Sequence, residues 1–324
     1  MHALKPSLWA VCILIGLAFD GHTALSQATP STPAPGTSGG GEVETGEVTI
    51  SKRVDEVNLV FTVTDGKSHF VSNLEKSDFR LLDNHAPPEQ IVYFQRQTEL
   101  PLRVGLLIDI SDSITSRFRF EQDAASTFLK KVLRPGVDQA FVVAFNQRVQ
   151  LVQDMTSDTN ALMRAVNSLK PGGDTALYDA ITYACEKLNS GEPRVSRRAL
   201  IVISDGVNTR SRAIMYDAKQ AAARAEVVIF ALSTNDIRHD GYNKGEAALD
   251  LLTHPTGGMI LPAREKAELK SAFTHVETAL RSQYALGYKP ANLQADGSFR
   301  MIEILPQKPS LKAQCRRGYY APKP

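Results

Sequence analysis

The 324-residue sequence has only three cysteines, Cys12, Cys185 and Cys315. Only two of them lie beyond the N-terminal segment, and no histidines stand at a spacing that would complete a structural zinc site with them. The seven histidines, His2, His22, His69, His85, His239, His254 and His275, are scattered. An excess of one charge is also missing. Lys and Arg number 37 against 35 Asp and Glu, a net of +2, which gives no electrostatic case for nucleic acid as a partner. Long hydrophobic runs are missing too. Leu8 to Phe19 is apolar throughout, but a membrane helix needs about 20 such residues, and no later stretch is long and apolar enough. Hydrophobic residues at 43% still suffice for a packed core, and the length allows two domains or one large domain with additions.

The ends of the chain differ from its middle. Lys5, the apolar run and the small residues Ala24 and Ser26 read as a secretory signal peptide over residues 1–26, with an uncleaved anchor as the alternative. Cys12 lies inside the run without a lipobox, which argues against a lipoprotein. The expected location is therefore the periplasm or the cell exterior. Residues 27–47 are a Pro/Gly/Ser/Thr linker with almost nothing to bury. Residues 48–98 alternate in the manner of short strands: Val57 to Val63, Phe79 to Asn84 and Ile91 to Phe94. Residues 283–324 return to that texture, with Phe299 to Leu305 and Leu311 to Arg316 expected to pair. That tail is too short to fold alone and is expected to join the N-terminal segment in a small β-sandwich-like module.

Between them, residues 99–282 alternate strand and helix. Val104 to Ile108, Ala140 to Phe145, Ala199 to Ile203 and Val227 to Leu232 are apolar runs of the kind buried on both faces of a sheet. Helical periods fall between them, at Ser116 to Leu133, Leu177 to Leu188, Arg212 to Arg224, Ala247 to Leu252 and Glu265 to Ser282. Val149 to Val152 reads as an antiparallel edge. This predicts an α/β fold, a doubly wound and mostly parallel sheet with helices on both faces. The basic cluster Arg194, Arg197 and Arg198 is expected in a solvated loop.

Chemistry concentrates at three places. Asp109-Ile110-Ser111-Asp112-Ser113 follows the first buried strand, Thr175 lies in Gly172-Gly173-Asp174-Thr175, and Asp205 ends another strand before Gly206. Singly, these are a cap and a turn of ordinary kinds. In a sheet of order 3-2-1-4-5-6 they converge, because ligands bind beyond the carboxyl ends of strands where the order reverses. Asp109, Ser111, Ser113, Thr175 and Asp205 then offer only oxygen, with few formal charges. Such a set suits a hard octahedral ion, Mg²⁺ or Mn²⁺, better than zinc or calcium. The ion would keep positive charge and an open position for a partner's carboxylate.

These motifs resemble the metal-ion-dependent adhesion site of von Willebrand factor type A domains over about Leu102 to Ser282. The resemblance implies that Ser111, Ser113 and Thr175 are direct or near-direct ligands. It implies that Asp109 and Asp205 hold the ion partly through water, and which of them binds directly stays open. The flanks, among them Leu74 to Phe79, Gln283 to Tyr288 and Arg317 to Tyr320, resemble secreted von Willebrand A-related proteins described mainly from acidobacteria. Cys315 departs from that group's basic or polar strand, and whether Cys185 and Cys315 pair stays open.

The expected function is an exported, metal-dependent module that holds a protein partner through an acidic residue. The alternative is a scaffold subunit of an envelope complex whose metal serves stability alone. A hydrolase has less support. Haloacid-dehalogenase phosphatases need a second aspartate where Ser111 stands, and a P-loop ending at Gly66-Lys67-Ser68 would begin inside a strand. Gly36-Thr37-Ser38-Gly39-Gly40 matches a nucleophile elbow only formally, within the linker.

Overall fold

Leu102–Asp109 is buried along nearly its whole length and forms strand β4, at the middle of a six-stranded sheet. The strands before it are β1 (Val57–Thr64), β2 (Phe79–Asp83) and β3 (Gln90–Arg96). The computed structural model describes residues 56–96, 100–115, 118–190, 196–235 and 244–323. The expected signal peptide and linker lie outside the described residues.

Strand β4 pairs in parallel with β5 (Gln139–Phe145) on one side and β7 (Arg197–Ser204) on the other. Next to β7 come β8 (Val228–Ser233) and β9 (Ile260–Pro262), also parallel. Beyond β5 lies β6 (Val149–Thr156), the antiparallel edge. The order β6-β5-β4-β7-β8-β9 is the expected 3-2-1-4-5-6, so the reversal falls between β4 and β7. Gly105 sits at the centre of β4 because Leu200 and Phe141 leave no room for a Cβ there.

Successive residues of a strand face opposite sides, and both sides are covered. Val104, Leu106, Ile108 and Ile201 face α1 (Phe118–Val132), α2 (Thr159–Ser168) and α6 (Lys266–Arg281), with Phe128 stacked on Phe273. Leu107, Val143, Leu200 and Val202 face α3 (Leu177–Asn189), α4 (Met215–Arg224) and α5 (Lys244–Thr253). Each such fully buried side chain contributes about 1.5–3 kcal/mol.

Strands from the two ends of the chain make two further sheets around one core. The first has the order β12-β1-β10-β3 and the second β13-β11-β2, with β10 (Tyr284–Lys289), β11 (Phe299–Pro306), β12 (Lys312–Cys315) and β13 (Gly318–Tyr320). Phe61, Phe79, Phe94 and Tyr284 cluster there, and Tyr288 and Tyr319 both donate to the buried Asp83 carboxylate.

Four expectations need correction. Strands β11 and β12 do not pair. β11 lies between β2 and β13, and β12 lies on β1, because the chain crosses from one sheet to the other. Helix α2 was not expected; Asp158 caps it, accepting from the amides of Asn160 and Ala161. Helix α4 begins at Met215 rather than Arg212, after a turn spent on Asp179. Arg197 and Arg198 belong to β7 and not to a solvated loop, and Arg197 is buried. Both later cysteines are free: Cys185 is in the core of α3 and Cys315 is on β12. Burial pushes the Cys185 thiol well above its ordinary range, which makes it inert.

Candidate functional site

Asp109 is the last residue of β4, and Ser204 is the last of the neighbouring β7. The Asp109 carboxylate is fully buried. Its Oδ1 accepts from the Ser111 amide at 2.9 Å and its Oδ2 from the Ser204 hydroxyl at 2.8 Å. The local turn at Ser111 brings its hydroxyl within 3.1 Å of Ser113 Oγ. Ser113 in turn donates to Asp205 Oδ2 at 3.2 Å. Asp109, Ser111, Ser113 and Asp205 therefore form one connected polar group across the β4–β7 reversal.

Thr175 reaches the same place by a different route. Its loop is laced to the strand ends: Gly172 N donates to Ile110 O at 2.6 Å and Asp112 N to Gly173 O at 3.0 Å. Asn146, just past β5, holds Gly172 O with its side-chain amide at 2.6 Å. Gly173 has a φ of 100°, which side chains rarely adopt. The turn after Asp205 closes the other side, with Thr209 N and Arg210 N both donating to Thr175 O at 2.9 Å. Ala176 is the N-cap of α3, and the first helical amides go to Asn208 and Ser211 instead. The Thr175 hydroxyl is thus free of capping duty, and it has no hydrogen bond to the four-residue group among the described residues.

The site has a dry floor and an open mouth. Asp109, Ser111 and Thr175 are buried, Asp205 is partly exposed and Ser113 is exposed. Burial is the largest influence on Asp109 and raises its carboxyl to about 6 against the opposing hydrogen bonds, with the nearby Asp205 adding a smaller push. Neither carboxylate has an ion-pair partner among the described residues. Nor do those residues include any group of three or more His, Cys, Asp or Glu side chains placed to hold a metal. Two unpaired carboxylates and neighbouring hydroxyls are a donor set that fits a single hard divalent cation and does not fit a zinc–thiolate centre.

Sequence reasoning missed the residues that hold this group in place. Ser204, Asn146, Asn208, Thr209 and Ser211 fasten it by hydrogen bonds, and Asn235 donates to the Asp205 carbonyl. The one available signal was the density of Asn, Ser and Thr just after strand ends, where such side chains bond to backbone. Gly66, Lys67 and Ser68 lie in a turn closed by Asp65 and not at a helix N-terminus, so they form no phosphate loop. Gly36 to Gly40 lie outside the described residues.

No curated protein matches the chain. Solved structures with a similar arrangement include BatB from Bacteroides thetaiotaomicron, 20% identical over 56% of this chain and 100% of that one, with a TM-score of 0.44. The vWF domain of the type V pili tip protein Mfa5 from Porphyromonas gingivalis is 13% identical over 55% of this chain and 94% of its own, with a TM-score of 0.45. Proximal thread matrix protein 1 from the mussel byssus, solved with a zinc-occupied MIDAS motif, is 16% identical over 62% and 50%, with a TM-score of 0.48. Residues 104–208 match the family model described as von Willebrand factor type A domain, a span that runs from β4 past Asp205. With that match taking in Asp109 at the end of β4 and Asp205 just past β7, the chain contains a von Willebrand factor type A domain.

Proposed function

We propose that this protein is an exported, non-enzymatic binding module of the adhesion type. In this reading Asp109, Ser111, Ser113, Thr175 and Asp205 hold one divalent cation, Mg²⁺ or Mn²⁺. When bound, the cation supplies a positive centre with an open position for an acidic side chain of a protein partner. The observation that supports this best is the connected group Asp109, Ser111, Ser113 and Asp205, which lies at the sheet reversal with no basic side chain paired to it among the described residues.

The chain's own residues divide the work. Ser204 and the Ser111 amide hold one oxygen each of the Asp109 carboxylate and so fix its orientation. The buried floor keeps the local dielectric low, which strengthens attraction for a cation. Ser113 and Asp205 line the mouth, where a partner would enter. Few carboxylates mean incomplete neutralisation, and an incompletely neutralised cation is what recruits another carboxylate. The place two residues after Asp109 is a serine and not the second carboxylate that an aspartyl-phosphate mechanism needs.

The test is capture of envelope proteins on the immobilised mature chain, in Mg²⁺ or Mn²⁺ and in chelator. The proposal expects a protein retained only with metal, released by chelation and not retained by Asp109→Ala. Identical capture in chelator would contradict it and would favour a scaffold whose metal serves stability alone.

A further inference from the structure

Away from the metal-site end, where β7 and β8 begin, a cavity of about 600 Å³ opens between the sheet with its helix α4 and the strands β1 and β13. Pockets of ~300–1,000 Å³ are the size that holds small organic ligands. Leu59, Val227, Leu252 and Leu280 supply apolar wall, and the rings of Tyr93 and Tyr320 stand among them.

The charge on this wall is unbalanced. Arg197, Arg198, Lys219, Arg316 and Arg317 line it, with Glu226 as the one carboxylate among the described lining residues. Glu226 pairs with Arg316 at 2.8 Å and is also the acid felt by Arg198, so two guanidiniums share one partly exposed carboxylate. Arg197 is 5% exposed, and among the described residues its guanidinium donates only to the carbonyls of Leu100 and Leu280. Burial pushes its guanidinium down to about 10, with Asp138 opposing. A buried cation satisfied by carbonyls alone leaves a positive potential in the space it borders.

Three residues of this lining also carry fully buried polar atoms. Arg316 is 9% exposed; Nη1 goes to Glu226 and Nη2 to the Asn58 carbonyl, but Nε has no acceptor among the described residues. Gln283, 4% exposed, has no donor to its Oε1 and the Ser196 hydroxyl has no partner among the described residues.

We propose that this cavity binds an amphipathic organic anion, with its acid group at Arg198 and Arg316 and its apolar body along Leu59, Val227 and Leu252. This inference is independent of the metal site.

The experiment is calorimetric titration of the whole mature chain with decanoate, and with decanol as the uncharged counterpart. Decanoate should saturate one site, with decanol weaker by about tenfold or more, the worth of a charge-assisted hydrogen bond. Arg198→Gln should weaken decanoate and leave decanol unchanged. Ala223→Trp, on the apolar wall, should abolish binding of both. Asp109→Ala and chelation should change neither. Absence of saturable decanoate binding, equal affinity for both probes, or wild-type decanoate affinity in the folded Arg198→Gln protein would overturn the proposal.

Discussion

The Ser204 hydroxyl donates to Asp109 Oδ2 at 2.8 Å and accepts from the Gly206 amide at 3.0 Å. One small side chain therefore ties the end of β4 to the turn that carries Asp205, and so sets the spacing of the two carboxylates. Removing it with Ser204→Ala leaves a buried carboxylate short of one donor, at a cost of about 1–3 kcal/mol. Metal affinity should drop about 10–100-fold, as it does when an outer-shell partner is lost. Thermal denaturation and Mg²⁺ titration of the variant check both effects.

Asp109→Asn separates charge from shape. Because the folded carboxyl sits at about 6 against an ordinary 3.8, the folded state binds its proton more tightly than the unfolded chain does. The stability of metal-free protein should then fall as pH rises from about 4 to about 6, and level off above. Asparagine keeps the acceptor for the Ser111 amide and carries no charge. Metal-free Asp109→Asn should therefore match or exceed wild type at pH 7.5, by up to about 3 kcal/mol, yet gain nothing from Mg²⁺. Denaturant melts with and without chelator measure this. A variant markedly less stable than chelated wild type would refute it.

Gly206 has a φ of 76°, and a Cβ there would meet the Gly245 carbonyl and lie 2.8 Å from Leu249 Cγ. Gly206→Ala should cost about 2–4 kcal/mol from strain and crowding together. It should also weaken the metal site by moving Asp205. Comparing its melting temperature with that of Val207→Ala, in the same turn, separates the steric effect from loop sensitivity.

Asp138 is a structural acid far from that chemistry. Burial pushes its carboxyl up, but hydrogen bonds from the Arg134 side chain, the Arg134 amide and the Leu102 amide outweigh this and hold it below the ordinary range. Its contribution is present above about pH 4 and is lost as pH falls through the lowered value. Asp138→Ala should cost about 3–5 kcal/mol at neutral pH, since it leaves donors unpaired at the start of β4. The deficit should shrink in acid, and melts at pH 7 and pH 3 would show whether it does.

The parts of the fold legible in the sequence were those where one physical demand dominates. The runs at Val104, Ala140, Ala199 and Val227 are apolar because both sheet faces are covered, and their order placed Asp109 beside the turn of Asp205. Helix α2 escaped notice because it buries only Leu162, Ala165 and Val166, too few to show a period. The partners of β11 were obscured because Phe299, Met301 and Leu305 point outward while Ile302 and Ile304 point inward, so both faces look apolar. Arg197 read as solvated because nothing local reveals that the Leu100 and Leu280 carbonyls receive it from 97 and 83 residues away. In the site, the ligand-type residues stood out by their spacing. Ser204 did not, since its role depends on a strand pairing that no local pattern contains.

A single divalent cation at Asp109, Ser111, Ser113, Thr175 and Asp205 is read most simply by calorimetric titration of chelator-stripped protein with Mg²⁺ and then Mn²⁺, beside Asp109→Ala. Saturable binding at one site, lost in the variant, is the expected result. No binding by the wild-type protein, or equal binding by the variant, would contradict it.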